Sequence, residues 1–335
     1  ALALFPAFSN AYWLMPAGVI TEERLDPIVS PNAVSGHVHT VFGGSNFGSN
    51  VTTEKLQQST CTSTAVNEDF SNYWAPKLYF QWKNGSFSDV SGNGVIYYFF
   101  SDTPGATKPF PDNFRMISGD PTKRSFDPND AGQKAVLYNC IQSNGQPNSD
   151  STDLPAKECS FSLRSQLFFP NCWDGKNLDS TNHKSHVAFP KIETTSMPPN
   201  SGQKCEDPNF PVVLPQVLLE IWWEVSPWYA HKTEAMNPDQ PFVYAYGDPT
   251  GFGNHGDFYN GWKEGVLQKA VDGCNCNKDG DPSCCVQKGI FTTTDPATKH
   301  CTIPKSTDEQ VKGMLPKLPG SNLVVGRGGT VSPAP

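Results

Sequence analysis

Short runs of aromatic and β-branched residues alternate with turn residues along the chain: Lys77 to Trp82, Gly94 to Phe100, Ala135 to Leu137, and Val212 to Val225. Runs of this length, bounded by Gly, Pro, Asn and Asp, predict strands. In the last run Val217, Leu219, Ile221 and Trp223 share one face while Glu220, Trp222 and Glu224 share the other, because successive strand side chains point to opposite sides. The first set predicts core, the second solvent or a cleft. One helix is predicted after Asn260, where Trp262, Val266, Leu267, Ala270 and Val271 recur at helical spacing; it starts near Asp257 or Asn260 and Gly273 ends it. Together these elements predict a mostly β chain, a β-sandwich or jelly-roll-like body with long loops, few short helices and several disulfides.

Composition narrows the setting. The 30 Pro and 28 Gly among 335 residues follow no repeat, as in a body of many turns rather than a collagen or a disordered chain. A net charge of −8 without a basic block leaves no footprint for a phosphate backbone, so nucleic acid is not expected as a partner. Ten cysteines at irregular spacing predict disulfides and an oxidising compartment, as for a secreted protein. The Cys274, Cys276, Cys284, Cys285, Cys301 group lacks the paired C-x-x-C spacing of a zinc knuckle and reads as a stapled loop. Sequons at Asn50 and Asn84 agree with a secreted glycoprotein. No run approaches the about 18 apolar residues of a membrane helix. Residues 1–11 read as a signal remnant or N-terminal arm, 12–303 as one globular domain, and 304–335 as a Pro/Gly-rich tail or linker. A monomer is expected.

Five of the seven histidines fall in three segments: SGHVHT (His37, His39), NHKSH (His183, His186) and NHGDF (His255). In an extended strand His37 and His39 point to the same side about 7 Å apart at Cα, which suits a metal, a substrate or a hydrogen-bonded structural pair. The stretch from Cys172 to His186 adds Trp173, Asp174, Asp179 and Asn182; its carboxylates are placed either to orient an imidazole or to close Asx-turns. Asp257 follows His255 in a glycine-rich approach to the predicted helix, where it serves the site or caps the helix. Glu220 and Glu224 lie roughly 13 Å apart along a strand, too far for a glycosidase pair by themselves. There is no G-x-S-x-G elbow, H-E-x-x-H helix, P-loop or dinucleotide fingerprint.

The motifs AYWLMP, ERLDPIVSP, SGHVHTVFGGSNF, YWAPKLYF, FRMISGD, NCWDGKNLDSTNHKSHVAFP, GDPTGFGNHGDFYNGW and LQKAVDGC occur in this order. In them the chain resembles the secreted Domain of Unknown Function family numbered nineteen-ninety-six, of fungi and actinobacteria, from roughly Tyr12 to Cys301. The resemblance implies an extracellular protein with one folded body and matches the five histidines residue for residue, without assigning them an activity. Met15 and Pro16 stand where many relatives have a cysteine. The leading expectation is a protein that cleaves a cell-wall polysaccharide by hydrolysis or elimination. His37, His39, Asp174, His183, His186, His255 and Asp257 are its catalytic candidates; Arg24, Trp173, Glu220, Trp222 and Asn260 are its substrate-binding candidates. It requires no cofactor. A second expectation is a divalent-metal protein using His37, His39 and His186, and a third is a non-catalytic glycan or wall binder.

Overall fold

The computed structural model of the chain describes residues 10–144, 150–190, 205–275, 280–329 and 331. Two five-stranded antiparallel sheets face each other. The first contains, in spatial order, Asn10–Ala17, Gly92–Ser101, Gln216–Trp223, Ser162–Phe168 and Val136–Ile141. The second contains Thr21–Glu23, His39–Gly43, Asn72–Pro76, His255–Tyr259 and Arg115–Gly119. Between them lies the main core. The predicted alternation places Val217, Leu219, Ile221 and Trp223 there, against Trp13, Ile96, Tyr98 and Leu167 of the same sheet and Phe42, Tyr73, Met116 and Phe258 of the other. The expected β-sandwich is the fold.

The predicted helix is shorter than its apolar spacing implies. It runs from Val266 to Gly273 after Gly265, and buries Leu267, Ala270 and Val271. Asp257 and Asn260 do not start it. Asp257 is paired within a strand, and Asn260 uses its side-chain amide on the carbonyls of Phe110 and Pro111 while its carbonyl accepts the Thr53 hydroxyl.

Disulfides join Cys61 to Cys301, Cys140 to Cys159, Cys172 to Cys205, and Cys274 to Cys285. Cys276 lies outside the described residues, as do residues 1–9 of the expected N-terminal arm. The Cys61–Cys301 bond, closing a sequence separation of 240, ties the end of the body to its beginning. Asn50 and Asn84 are exposed, and no helix among the described residues is long and apolar enough to cross a membrane.

Residues 304–329, read from composition as a tail, carry apolar side chains inward. Val311, Leu315 and Leu318 are buried with Val38, Tyr79, Phe87 and Val243. Met314–Leu315 pairs with Phe87–Asp89. The same stretch is pinned by polar contacts, Ser306 on Glu23, Glu309 on Arg24, Asn322 on the Gly36 carbonyl and the Val325 carbonyl on Arg124. It braces the loop that precedes His37.

Candidate functional site: a buried histidine and aspartate cluster

The second sheet has two buried faces. Its inner face joins the main core; on its outer face Val41, Trp74, Ile117 and Tyr259 form a second cluster with Leu25, Ile28, Phe47 and Leu56 of the covering segment. Alternation puts His39, His255 and Asp257 on that outer face. His39 pairs with Pro76, and the register Asp257↔Trp74, continued by two residues, sets His255 opposite the same proline. Two imidazoles from strands on either side of Pro76 thus approach above it, with ring centroids 6.3 Å apart. His37 precedes its strand and closes the group, its ring 4.4 Å from that of His39 and 5.0 Å from that of His255.

Hydrogen bonds fix the protons of two of these rings. His39 Nδ1 lies 3.1 Å from the Leu25 carbonyl, and His255 Nδ1 lies 3.0 Å from the Gly253 carbonyl. A carbonyl only accepts, so each Nδ1 carries the proton and each Nε2 presents a lone pair. His255 Nε2 meets His37 Nε2 at 3.0 Å, and His37 therefore donates. His39 Nε2 is buried with no partner among the described residues. Burial lowers the pKa of all three: His39 to about 4, His255 to about 3, and His37 well below its ordinary value, assisted by the two neighbouring rings and Arg24. At neutral pH the rings are uncharged, the form that ligates metals.

Two carboxylates complete the cluster. Asp257 is 1% exposed, and neither of its oxygens has a hydrogen-bond partner among the described residues. Asp26, from the covering segment, accepts the Ile28 and Val29 amides on Oδ1 at 2.9 and 3.0 Å, an Asx-turn that fixes its carboxylate. Burial raises the pKa of both, and Asp26 pushes Asp257 further up. Lys184 favours the ionised Asp257, but its ammonium is bonded to the Gly119 carbonyl. Asp26, His39 and Asp257 offer donor atoms within 4.8 Å of one another, as do His37, His39 and His255.

The surroundings hold this geometry rigidly. Gly119, opposite His255, has φ +83°, and a Cβ there would meet the Asn254 carbonyl oxygen at 2.2 Å, so the strands close on His255 only over a glycine. Tyr246 walls the cluster, 5.4 Å from His37 and 5.0 Å from His255 between ring centroids. It hydrogen-bonds Asp248 and lies under the Arg124 guanidinium. Of the three histidines only His37 is partly exposed, so the cluster comes nearest to solvent on its side.

The other candidate residues lie elsewhere. His186 has both ring nitrogens occupied, by the Ser180 hydroxyl at 3.1 Å and the Arg115 carbonyl at 2.9 Å, and it packs on Phe114. The ring beside the His-x-His pair is that of His255, not that of His186. His183 bonds Asp179, which also accepts from Arg115. Asp174 closes its own turn on Lys176 and Asn177, and Trp173 donates to the Asn177 carbonyl. This segment is self-pinned by the short-range bonds that Asx-turns supply, and it contributes Lys184 to the cluster's edge. Glu220 and Trp222 sit on the outer face of the first sheet, and Arg24 is held by Glu309 and the Ser35 carbonyl beside His37. Asp26 was not among the candidates. Its Asp-Pro sequence signals only a turn, and nothing local shows that the turn lies over the His39 strand.

No curated protein and no solved structure matches the chain significantly. The sequence profile of one family does, over residues 26–262, a span that opens at Asp26 and includes all five cluster residues. The chain belongs to the family described as a domain of unknown function, DUF1996.

Proposed function

We propose that this is an extracellular protein that works through one divalent cation bound in the cluster of His37, His39, His255, Asp26 and Asp257. The observation that carries this reading is the His39 Nδ1 bond to the Leu25 carbonyl, which leaves the buried Nε2 lone pair of His39 without a partner among the described residues, in a residue with a donor atom within 4.8 Å of donor atoms of Asp26 and Asp257. Metal-binding histidines are oriented in this manner by their second nitrogen. Three neutral rings and two carboxylates carry two negative charges when ionised, the complement of one divalent ion. Such an ion polarises a bound oxygen or activates a water at neutral pH, chemistry that serves either hydrolysis or elimination. The four disulfides between described residues support an extracellular setting. Purified protein stripped with chelator and dialysed against Mn2+ or Zn2+ is expected to retain about one ion per chain. Failure to retain either would remove this reading.

A polysaccharide as the molecule acted on or bound is favoured by a separate observation. On the outer face of the first sheet, partly exposed Tyr97 and Phe99 stack at 5.9 Å, Tyr12 lies 5.5 Å from Phe99, and the Arg164 guanidinium lies 5.6 Å from the Trp222 ring. Among them Glu220 accepts from Tyr97, Gln166 and Trp222. Flat aromatic faces beside fixed polar groups suit the apolar and hydroxyl faces of a sugar chain. Trp222→Ala is expected to reduce retention in an affinity gel of the best-binding wall polysaccharide at least about fivefold, the effect of roughly 1 kcal/mol. Unchanged retention would remove this face from glycan contact.

A further inference from the structure

The two overlapping donor sets are not equivalent, and the unpartnered atoms tell them apart. His37 and His255 already satisfy each other through the 3.0 Å contact of their Nε2 atoms, with the donor fixed by the bond from His255 Nδ1 to Gly253. That pair is complete without an ion. Among the described residues His39 Nε2 and both oxygens of Asp257 have no partner, although these residues are 0% and 1% exposed. A buried polar atom left unpaired destabilises the fold, and an ionised one does so more. The remaining carboxylate within reach, Asp26, is also buried and is fixed by two backbone amides.

Charge separates the sets as well. Three neutral imidazoles leave a divalent cation uncompensated, whereas Asp26 and Asp257 neutralise it. Lys184, at the cluster's edge, is engaged with the Gly119 carbonyl and supplies one positive charge at most. We infer that the cation is held by Asp26, His39 and Asp257, that the His37–His255 pair stands outside its coordination, and that the site takes an oxygen-accepting divalent cation of the Mn2+ class. Carboxylate and water oxygens suit that class, while an all-imidazole set would select Zn2+ or Cu2+. One imidazole and two carboxylates would supply three donors, and oxygens of solvent or of a bound ligand would complete the set that a cation of this class takes.

This inference rests on the cation reading above, and the test separates the two. In Mn2+-loaded full-length protein, pulsed EPR counts the imidazole nitrogens bonded directly to the ion. One is expected. Three would overturn the assignment while leaving the cation reading intact; no bound Mn2+ and no bound Zn2+ would overturn both. Variants give a second readout by Mn2+ titration. His37→Ala breaks the bond to His255 Nε2 but removes no donor to the ion, and is expected to weaken Mn2+ binding by less than about tenfold, below the loss typical of residues that support ligands. Asp257→Asn is expected to weaken it more than about 100-fold, beyond the loss typical of residues that only support ligands. If His37→Ala weakens binding as strongly as Asp257→Asn, His37 is a ligand and the assignment falls.

Discussion

In chelated protein, Asp257→Asn is expected to raise the unfolding free energy by about 1–3 kcal/mol and to end the stabilisation that a divalent cation confers. The gain follows from the state of Asp257 without an ion. It lies on the outer face of a central strand, 1% exposed, with neither oxygen paired among the described residues and a second carboxylate beside it. Replacing the carboxyl removes the cost of burying it ionised or of protonating it to bury it, and the repulsion from Asp26 with it, while the isosteric amide keeps the packing. In the wild type, a cation at 100 times its dissociation constant adds about 2.7 kcal/mol by mass action. Thermal melts of both proteins with chelator and with Mn2+ therefore cross: the variant melts higher without the ion, the wild type gains with it. A variant that melts lower than wild type in chelator would mean that the carboxylate has a stabilising partner in the cation-free fold.

Glu22→Gln is expected to cost about 3–5 kcal/mol, the usual effect of removing one partner of a buried ion pair. The Lys77 ammonium, fully buried, lies 2.6 Å from Glu22, 3.2 Å from the Val90 carbonyl and 3.5 Å from Asp89. Glu22 also binds Lys312, from the stretch that composition assigned to the tail, at 2.8 Å. Without Glu22 the lysine charge keeps only a distant carboxylate and a carbonyl. The double variant Glu22→Gln, Lys77→Met is expected to recover much of the loss, because well-packed apolar groups replace buried ion pairs at little cost. Acid gives an independent check. Burial raises the Glu22 pKa, but Lys77 and Lys312 outweigh it and bring the group below its ordinary 4.5. A carboxyl with a depressed folded-state pKa contributes stability that is present above its unfolded value and is lost as pH falls through the folded one. Urea melts below about pH 4.5 should show the wild type losing this contribution and Glu22→Gln, which has none, a shallower decline. Equal slopes would contradict the ion pair.

The parts of this architecture legible in the sequence are those governed by local periodicity. Alternation along Val217 to Trp223 named the core face correctly, since a half-buried strand must segregate its side chains by two. The H-x-H spacing put His37 and His39 together, although His37 lies outside the strand and reaches the cluster from the end of the covering segment. What local pattern misread were residues whose role depends on the partner strand. HGDFY, with its glycine and aspartate, has the composition of a loop leading to a helix, yet it is a strand because the strands at Trp74 and Ile117 pair with it on both sides and bury it. Asp26 shows the complementary failure. An Asp before a Pro explains itself locally as a turn, and only the packing of Leu25 and Ile28 onto the outer face of the second sheet brings its carboxylate to His39. In the Cys172–His186 stretch polarity left two readings open, and Asp174, Asp179, Ser180 and Asn182 use hydrogen bonds to hold their own loop, as the Asx-turn alternative expects.

Anomalous X-ray scattering from a crystal grown with Mn2+ tests the central claim most directly. The expected result is one strong peak, within direct bonding distance of His39 Nε2 and of carboxylate oxygens from Asp26 and Asp257. Manganese only at surface carboxylates, with His39 and Asp257 unligated in an otherwise identical fold, would contradict it.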